Sequence, residues 1–220
     1  MALPWSEVAD VSLLTLEVAA AAPVLGALVG VPVGAAIGTR GRGGRGLLRA
    51  LVYALYGLPP VIAGLLGYLL LSRSGPLGGL GWLFTPQAIV LVEAMLAAPL
   101  VAGLTIAALA EVPPGVREAV RASGASPLLA RWTLLKEARF GILAAVMVGF
   151  GRALAEVAGA LMVGGNVPGE TRTLGTAILQ QVQQGDFGAA LALGGVLLAL
   201  ALATVLALVR LQAAGRQEDG

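Results

Sequence analysis

The sequence predicts an all-α membrane protein with about five transmembrane helices. Hydrophobic residues make up 58% of its 220 residues and charged residues only 12%, whereas about a quarter of the residues in soluble globular domains are charged. The mean hydropathy is +0.90. We expect a single transmembrane domain over residues 1–220. Five segments reach the roughly 20 apolar residues that a helix needs to cross a bilayer, and they lie at 13–39, 47–71, 86–110, 140–163 and 187–209.

The first predicted span contains both helix-breaking prolines and a regular glycine repeat. A helical bundle tolerates Pro23 and Pro32, because neighbouring helices can satisfy the carbonyl groups that they leave unpaired. Gly30, Gly34 and Gly38 recur every four residues on one face. Such a ridge of small residues allows another helix to approach closely in lipid. We expect these glycines to serve packing.

Basic residues are unevenly distributed over the connections between the predicted spans. Of the fourteen Lys and Arg residues, only Arg73 and Arg172 lie on one side, and Arg152 falls inside the fourth span. The positive-inside rule places the side that is rich in basic residues in the cytoplasm. It predicts a multi-pass protein with its N-terminus outside and its C-terminus in the cytoplasm. The eleven cytoplasmic basic residues are Arg40, Arg42, Arg45, Arg49, Arg117, Arg121, Arg131, Lys136, Arg139, Arg210 and Arg216.

The longest polar interruption lies at 111–139, on the predicted cytoplasmic side. Pro114 suits the first position of a helix, because proline lacks the N–H group that would be unpaired there. Gly124 favours the end of that helix, and Ser126 with Pro127 favours the start of a second one. We expect two short amphipathic helices to which a soluble partner can dock. The predicted apolar stripe of the second helix consists of Leu128, Leu129, Trp132 and Leu135.

The composition excludes most enzymatic chemistry. The chain has no cysteine and no histidine, which removes disulfides, thiol nucleophiles and the commonest metal ligand and general base. Lys136 is the only lysine, and no phosphate-binding loop of the form G-x-x-x-x-G-K-[ST] occurs. We expect no catalytic residue, no metal site, no cofactor and no nucleic-acid partner.

Charged residues inside the predicted spans suggest function, since each costs about 2.5 to 3.5 kcal/mol at the centre of a bilayer. Arg152 and Glu156 are four residues apart, which places them on one face of a continuous helix. They either form an ion pair that fixes the fourth span or line a pathway in which Arg152 meets an anionic solute. Glu93 is either a third partner or reaches the outer surface.

The segment 164–186 is predicted to form an extracytoplasmic loop. Its glycines and Pro168 break the preceding helix, and Thr171 is a candidate cap for a short helix that runs to about Gln184. Asn166 and the neighbouring donors suit either an oxyanion or a docked protein. The alternative is a solvated re-entrant loop.

The run of Glu118, Ala119 and Val120, followed after three residues by Gly124, resembles the EAA segment of ABC-importer permeases. In that family the segment forms cytoplasmic coupling helices that dock into a groove of the ATPase subunit. The resemblance implies a coupling role for Glu118, Ala119 and Gly124, and for the adjacent Ala125.

Three longer stretches, at 57–78, 133–166 and 171–178, resemble the tungstate-type permeases, which are relatives of the molybdate and sulfate permeases. The likeness extends over nearly the whole chain. The EAA pattern normally ends in a leucine-proline pair, where this sequence has Lys136 and Glu137. That departure is typical of the tungstate branch.

This resemblance implies a type I ABC-importer permease architecture in the plasma membrane of a prokaryote. The chain would form one half of a homodimeric pore embedded in the lipid bilayer. An extracytoplasmic oxyanion-binding protein would deliver the solute, and two copies of an ABC ATPase, which bind the ATP and Mg, would drive import. Tungstate is the expected ion.

Three other functions stay open at the level of sequence. Molybdate or sulfate permeases share the same architecture, and tetrahedral dianions differ little in size. A secondary transporter or channel that works alone is disfavoured, because five spans give no even inverted repeat and no pair of broken helices is evident. A membrane-embedded enzyme lacks a suitable set of residues.

Overall fold

The computed structural model describes residues 5–39 and 46–217, and all regular structure within these ranges is helical, as predicted. The predicted cytoplasmic residues Arg40, Arg42 and Arg45 lie outside the described residues. A short 3-10 turn covers Gly78–Leu80. The α-helices are, in chain order, α1 (Trp5–Gly38), α2 (Gly46–Tyr56), α3 (Pro60–Leu71), α4 (Pro86–Ala110), α5 (Pro114–Ala122), α6 (Pro127–Glu137), α7 (Arg139–Leu154), α8 (Ala158–Gly164), α9 (Leu174–Gln183) and α10 (Phe187–Gln217).

Three helices in the described part of the chain are long and apolar enough to cross a membrane unbroken: Ser6–Gly38, Pro86–Ala110 and Phe187–Arg210. Two further candidates are helix pairs that bend at a short break, α2 with α3 by 91° and α7 with α8 by 65°. Counted as one span each, these pairs give the five spans that the sequence predicts. The prediction of continuous helices over 47–71 and 140–163 is wrong.

The two breaks have different physical causes. α2 ends at Tyr56, and Pro59 is extended, with φ −62° and ψ 130°, because the proline that follows disfavours helical geometry before it. Pro60 then begins α3, where its missing N–H group costs nothing. The second break contains no proline. Val157 leaves the helical region, with φ −124° and ψ −44°, and the side chain of Glu156 binds the backbone there.

α4 lies at the centre of the bundle, and α1 packs against it along the predicted glycine ridge. A Cβ atom added to Gly30 would lie 2.5 Å from the carbonyl oxygen of Ala98, and one added to Gly34 would lie 2.6 Å from that of Ala102. Both distances are below van der Waals contact, so the approach of the two helices depends on glycine. The predicted packing role is confirmed.

Two threonines order the loop 164–186, and their roles differ from the prediction. Thr173, rather than Thr171, caps α9: its hydroxyl accepts from the N–H of Thr176 at 3.3 Å, and the Thr176 hydroxyl accepts from the N–H of Thr173 at 3.0 Å. Thr171 is buried and donates to the carbonyl of Gly164 at 2.6 Å. Local sequence does not distinguish the two threonines, whereas this tertiary contact does.

Candidate functional site

The segment made of α5 and α6, here called the coupling segment, is fixed to the ends of α1 and α4. Arg117 donates from Nη2 to the carbonyl of Leu109 and from Nε to that of Val112 at 3.3 Å. The Leu109 carbonyl belongs to the last turn of α4, where helical acceptors lack an internal partner. The segment is therefore held to the end of α4 by hydrogen bonds and to α1 by apolar packing. The buried cluster at this junction consists of Ala35, Leu109, Val112, Leu134 and Ala138.

The turn between α5 and α6 forms as the sequence predicts. Gly124 has a positive φ of 66°, and no atom lies within 4 Å of where its Cβ would be. It is thus required for its backbone conformation and not for space. Ser126 caps α6, since its side chain accepts from the N–H of Leu129 at 3.3 Å.

An apolar patch, here called the coupling surface, lies exposed on α6. It consists of Leu128, Leu129 and Trp132, which are 77%, 54% and 57% exposed. The ammonium group of Lys136 lies 5.9 Å from the centre of the Trp132 ring. Contiguous exposed apolar side chains on a helix too short to span a membrane are typical of a protein interface. Of the predicted stripe, Leu135 is only half-buried, and its neighbour Leu134 is the residue that packs inward.

The residues with a predicted coupling role all lie on or beside the turn of the coupling segment. Glu118 and Ala119 are exposed on α5, Gly124 is exposed at the turn, and Ala125 is half-buried next to it. The structure therefore brings these four positions together with the coupling surface on one small protruding unit. Their role in coupling stays a prediction.

The predicted ion pair between Arg152 and Glu156 does not form among the described residues. α7 ends at Leu154, so the two residues do not share a helical face. The Oε1 atom of Glu156 instead accepts from the N–H groups of Val157 and Gly159, at 3.1 Å each, and so caps α8. Arg152 donates from Nη1 to the carbonyl of Tyr56 at 3.5 Å.

These contacts bring the two helix breaks together. Tyr56 is the last residue of α2, and Arg152 lies in the last turn of α7. Beyond the breaks α3 and α8 cross closely, since a Cβ added to Gly64 would lie 3.0 Å from the Cα of Gly159. Arg152 is half-buried and lies beside the end of α2. It is therefore a positive charge held at the point where both broken spans change direction.

Glu93 lies on α4 close to the second break. It is only 3% exposed, so the alternative in which it reaches the surface is wrong. Its Oε1 atom has no hydrogen-bond partner among the described residues. Together with Glu156, Thr15 and Thr173 it lines a narrow cavity of about 10 Å³, which is close to the smallest cavity that can hold one water molecule. Glu93 thus faces Glu156 across a small polar gap.

Asn166 connects the loop to α9. Its Nδ2 atom donates to Oε1 of Gln180 at 2.9 Å, and its backbone has a positive φ of 54°. Asparagine tolerates this left-handed conformation better than most residues. The amide nitrogen therefore orders the loop, while the buried Oδ1 atom has no hydrogen-bond partner among the described residues.

Two contacts that sequence reasoning missed tie this loop to α1. Arg172 forms a salt bridge of 2.7 Å with Glu7, and the hydroxyl of Thr15 accepts from the N–H of Leu174 at 2.9 Å. The salt bridge of Arg172 could have been suspected from the sequence, because Arg172 is one of only two basic residues on the predicted extracytoplasmic side. The second has no sequence signal, since it joins positions 159 residues apart.

The arrangement is that of a helical membrane protein with two bent candidate spans and a coupling segment outside them. Among the described residues, no cluster of three or more His, Cys, Asp and Glu is able to hold a metal. The chain belongs to the family described as binding-protein-dependent transport system inner membrane component, whose sequence profile matches residues 30–216. It is thus an ABC-transporter permease subunit, a membrane component of a transporter.

Its relatives include permeases for several oxyanions. A probable anion ABC transporter permease protein of Haloferax volcanii is 37% identical over 198 residues, which cover 88% of this chain and 85% of that protein. A tungstate uptake system permease protein of Peptoclostridium acidaminophilum is 32% identical over 197 residues, covering 90% and 86%. A molybdenum transport system permease protein of Azotobacter vinelandii is 29% identical over 192 residues, covering 83% and 84%.

Solved structures of the MetNI methionine ABC transporter share the fold. One inward-facing crystal form has a TM-score of 0.74 at 25% identity and covers 92% of this chain and 93% of that chain. A second has a TM-score of 0.78 at 24% identity and covers 96% of each. The expected type I ABC-importer architecture is confirmed.

Proposed function

We propose that this chain is the membrane-spanning subunit of an ATP-driven importer that moves tungstate into the cytoplasm. The support is the identity of 32% and 35% to permease proteins of two tungstate uptake systems. Named molybdenum and sulfate permeases are also related, at 29% identity. Molybdate and sulfate, being tetrahedral dianions too, are the alternative substrates.

The coupling surface is the observation that carries the proposal of a partner ATPase. Three large apolar side chains lie exposed on a segment anchored to the ends of α1 and α4. A groove on the ATPase would bury them, with Glu118, Ala119, Gly124 and Ala125 at the contact. ATP and Mg would be bound entirely by that partner. Closure of the ATPase dimer would then pull on α4 and α7, which flank the coupling segment.

Two copies of the chain would form the pathway, and an extracytoplasmic oxyanion-binding protein would deliver the solute to the side of the 164–186 loop. The distribution of basic residues supports an orientation with the N-terminus outside and the C-terminus in the cytoplasm, in the plasma membrane of a prokaryote. α10 is largely exposed within one chain, which suits contact with lipid or with the second copy.

Arg152 is the residue that we assign to the pathway. Arg152 is half-buried, its guanidinium group reaches the carbonyl of Tyr56 at the exposed end of α2, and Glu156 caps α8. Discontinuous helices line solute sites in many transporters. The sequence argument against a transporter that works alone therefore fails on this point, since two broken spans exist. Family membership is what favours the ATP-driven importer.

Reconstitution tests the proposal. The chain would be placed in lipid vesicles with its ATPase and its binding protein, and ATP hydrolysis would be measured with tungstate, molybdate or sulfate. We expect the largest stimulation by tungstate. Stimulation by sulfate alone would overturn the tungstate assignment, and turnover of solute by the isolated chain would overturn the importer assignment.

A further inference from the structure

A basic pocket lies between the coupling segment and the end of α1. Its volume is about 300 Å³, and Arg117, Arg121 and Arg131 line it together with Thr39 and Leu134. No acidic side chain belongs to its lining. Three formal positive charges therefore share one concave site at the level where α1 ends.

Among the described residues, only one of these three arginines has a structural hydrogen-bonding role. Arg117 is engaged with the carbonyls of Leu109 and Val112. Within residues 5–39 and 46–217, by contrast, neither Arg121 nor Arg131 makes a hydrogen bond or an ion pair. The carbonyl end of α1 carries only about half a negative charge, so it cannot balance the remaining two.

We propose that the basic pocket binds a tetrahedral oxyanion of the phosphate type, supplied either by the headgroup of an anionic phospholipid or as a free anion. The planar forks of Arg121 and Arg131 match such an anion by paired hydrogen bonds. A volume of about 300 Å³ corresponds to the bulk volume of about ten water molecules, which suffices for an oxyanion with part of its hydration shell.

The basic pocket lies between α1, α5 and α6, so a bound anion would affect how these helices are held together. Thr39 follows the last residue of α1, while Arg121 belongs to α5 and Arg131 to α6. An anion held there bridges all three helices and so restrains the coupling segment against α1. Binding would then modulate how far the movement of the coupling segment reaches the membrane. The cytoplasmic location of the pocket and the effect on coupling rest on the proposed function, whereas binding of the anion does not.

The lipid source is tested with the purified full chain in mixed micelles of phosphatidylglycerol and phosphatidylcholine. Native mass spectrometry measures which lipid stays bound. We expect retention of phosphatidylglycerol, reduced about five-fold by Arg131→Gln or Arg121→Gln, since each nearby arginine contributes that much to the attraction of an anionic headgroup. Arg210→Gln is the matched control, because it removes an exposed arginine of the same predicted side that does not line the pocket.

The free-anion source is tested in nanodiscs of phosphatidylcholine alone, by equilibrium dialysis with inorganic phosphate and with tungstate. Binding that weakens in Arg131→Gln but not in Arg210→Gln supports a free anion. Absence of both kinds of binding, or equal losses in the pocket and control variants, overturns the proposal. Neither measurement needs the ATPase, so a failure of tungstate-stimulated ATP hydrolysis would leave the result on the pocket unaffected.

Discussion

The break between α7 and α8 gives Arg152 and Glu156 different roles. The carboxylate of Glu156 accepts two backbone N–H groups at the start of α8, which fixes it in place. Among the described residues, the single hydrogen bond of the Arg152 side chain is the one to the carbonyl of Tyr56 at 3.5 Å, and at that length the hydrogen bond is weak. We therefore propose that Arg152, which is positively charged and only weakly hydrogen-bonded, is the one of the two that engages an approaching anion.

Two substitutions at Arg152 distinguish the effect of its charge from the effect of its shape. We expect Arg152→Gln to reduce tungstate-stimulated ATP hydrolysis by about ten-fold or more, because a charge-assisted hydrogen bond contributes about 1.5 to 3 kcal/mol. Arg152→Lys, which keeps the charge, should retain much more activity. The measurement is ATP hydrolysis by the reconstituted complex against tungstate concentration. Equal activity of both variants and wild type would remove Arg152 from the pathway.

Gly124 makes a second prediction at the scale of one residue. Because its φ is positive while the space around it is open, Gly124→Ala should strain only the backbone, by about 1 to 2 kcal/mol. We expect weaker coupling of ATP hydrolysis to tungstate uptake, with partial recovery in Gly124→Asn. Gly115→Ala on α5, which is equally open, is the control. If both alanine variants couple alike, the turn geometry does not matter.

At the scale of elements, the contact between α1 and α4 depends on its glycine ridge. Gly30→Ala would place a Cβ 2.5 Å from a carbonyl oxygen of α4, and overpacking of this kind costs about 1 to 3 kcal/mol. We expect a lower midpoint in thermal unfolding of the detergent-solubilised chain. Gly194→Ala on α10, where no atom lies within 4 Å, should be neutral or slightly stabilising. A similar loss in both variants would contradict this account of the ridge.

The start of α10 makes the stability of this helix depend on pH. Asp186 accepts from the N–H of Ala189 at 2.9 Å, and this hydrogen bond lowers the pKa of Asp186 below its usual value of 3.8. The contribution is therefore present above that value and lost as pH falls through the lower folded pKa. Asp186→Ala should lower the unfolding midpoint at pH 7, and the difference from wild type should shrink below pH 4.

The control for this effect is Asp10→Ala, which removes an exposed carboxylate inside α1. The change in unfolding midpoint that Asp10→Ala causes should not shrink at low pH in the way expected for Asp186→Ala. A difference for Asp186→Ala that stays constant from pH 7 to pH 3 would contradict the capping role. Thermal unfolding at a series of pH values in detergent provides both comparisons.

The comparison of elements with the sequence shows which physical signals are local. Apolar length predicted the three unbroken candidate spans and the positions of the two bent pairs, since lipid imposes apolar length on each segment separately. Prolines and Gly124 predicted the coupling segment. Pro59 and Pro60 also indicate the first break, although apolar length alone does not reveal it. The second break had no local signal, because it depends on how Glu156 meets the backbone of α8.

For the whole molecule, orientation is the property on which the proposed roles of both faces depend. The coupling segment and the loop 164–186 adjoin opposite ends of the spans, since the helix pair α7 and α8 runs from one to the other. If the chain had the opposite orientation, the coupling segment would face the extracytoplasmic binding protein and the loop 164–186 would face the ATPase. The basic residues predict the orientation, and a direct measurement of it tests the roles of both regions at once.

The absence of cysteine makes that measurement direct, because a single introduced thiol is a unique label. Ser74 follows α3 and Ser123 lies on the coupling segment, and both are exposed. In intact cells we expect a membrane-impermeant maleimide to label Ser74→Cys and to leave Ser123→Cys unlabelled, with the reverse in inverted vesicles. The opposite pattern would place the coupling segment outside, beyond the reach of any cytoplasmic ATPase. The two substitutions are chemically identical, so only the side of the membrane distinguishes them.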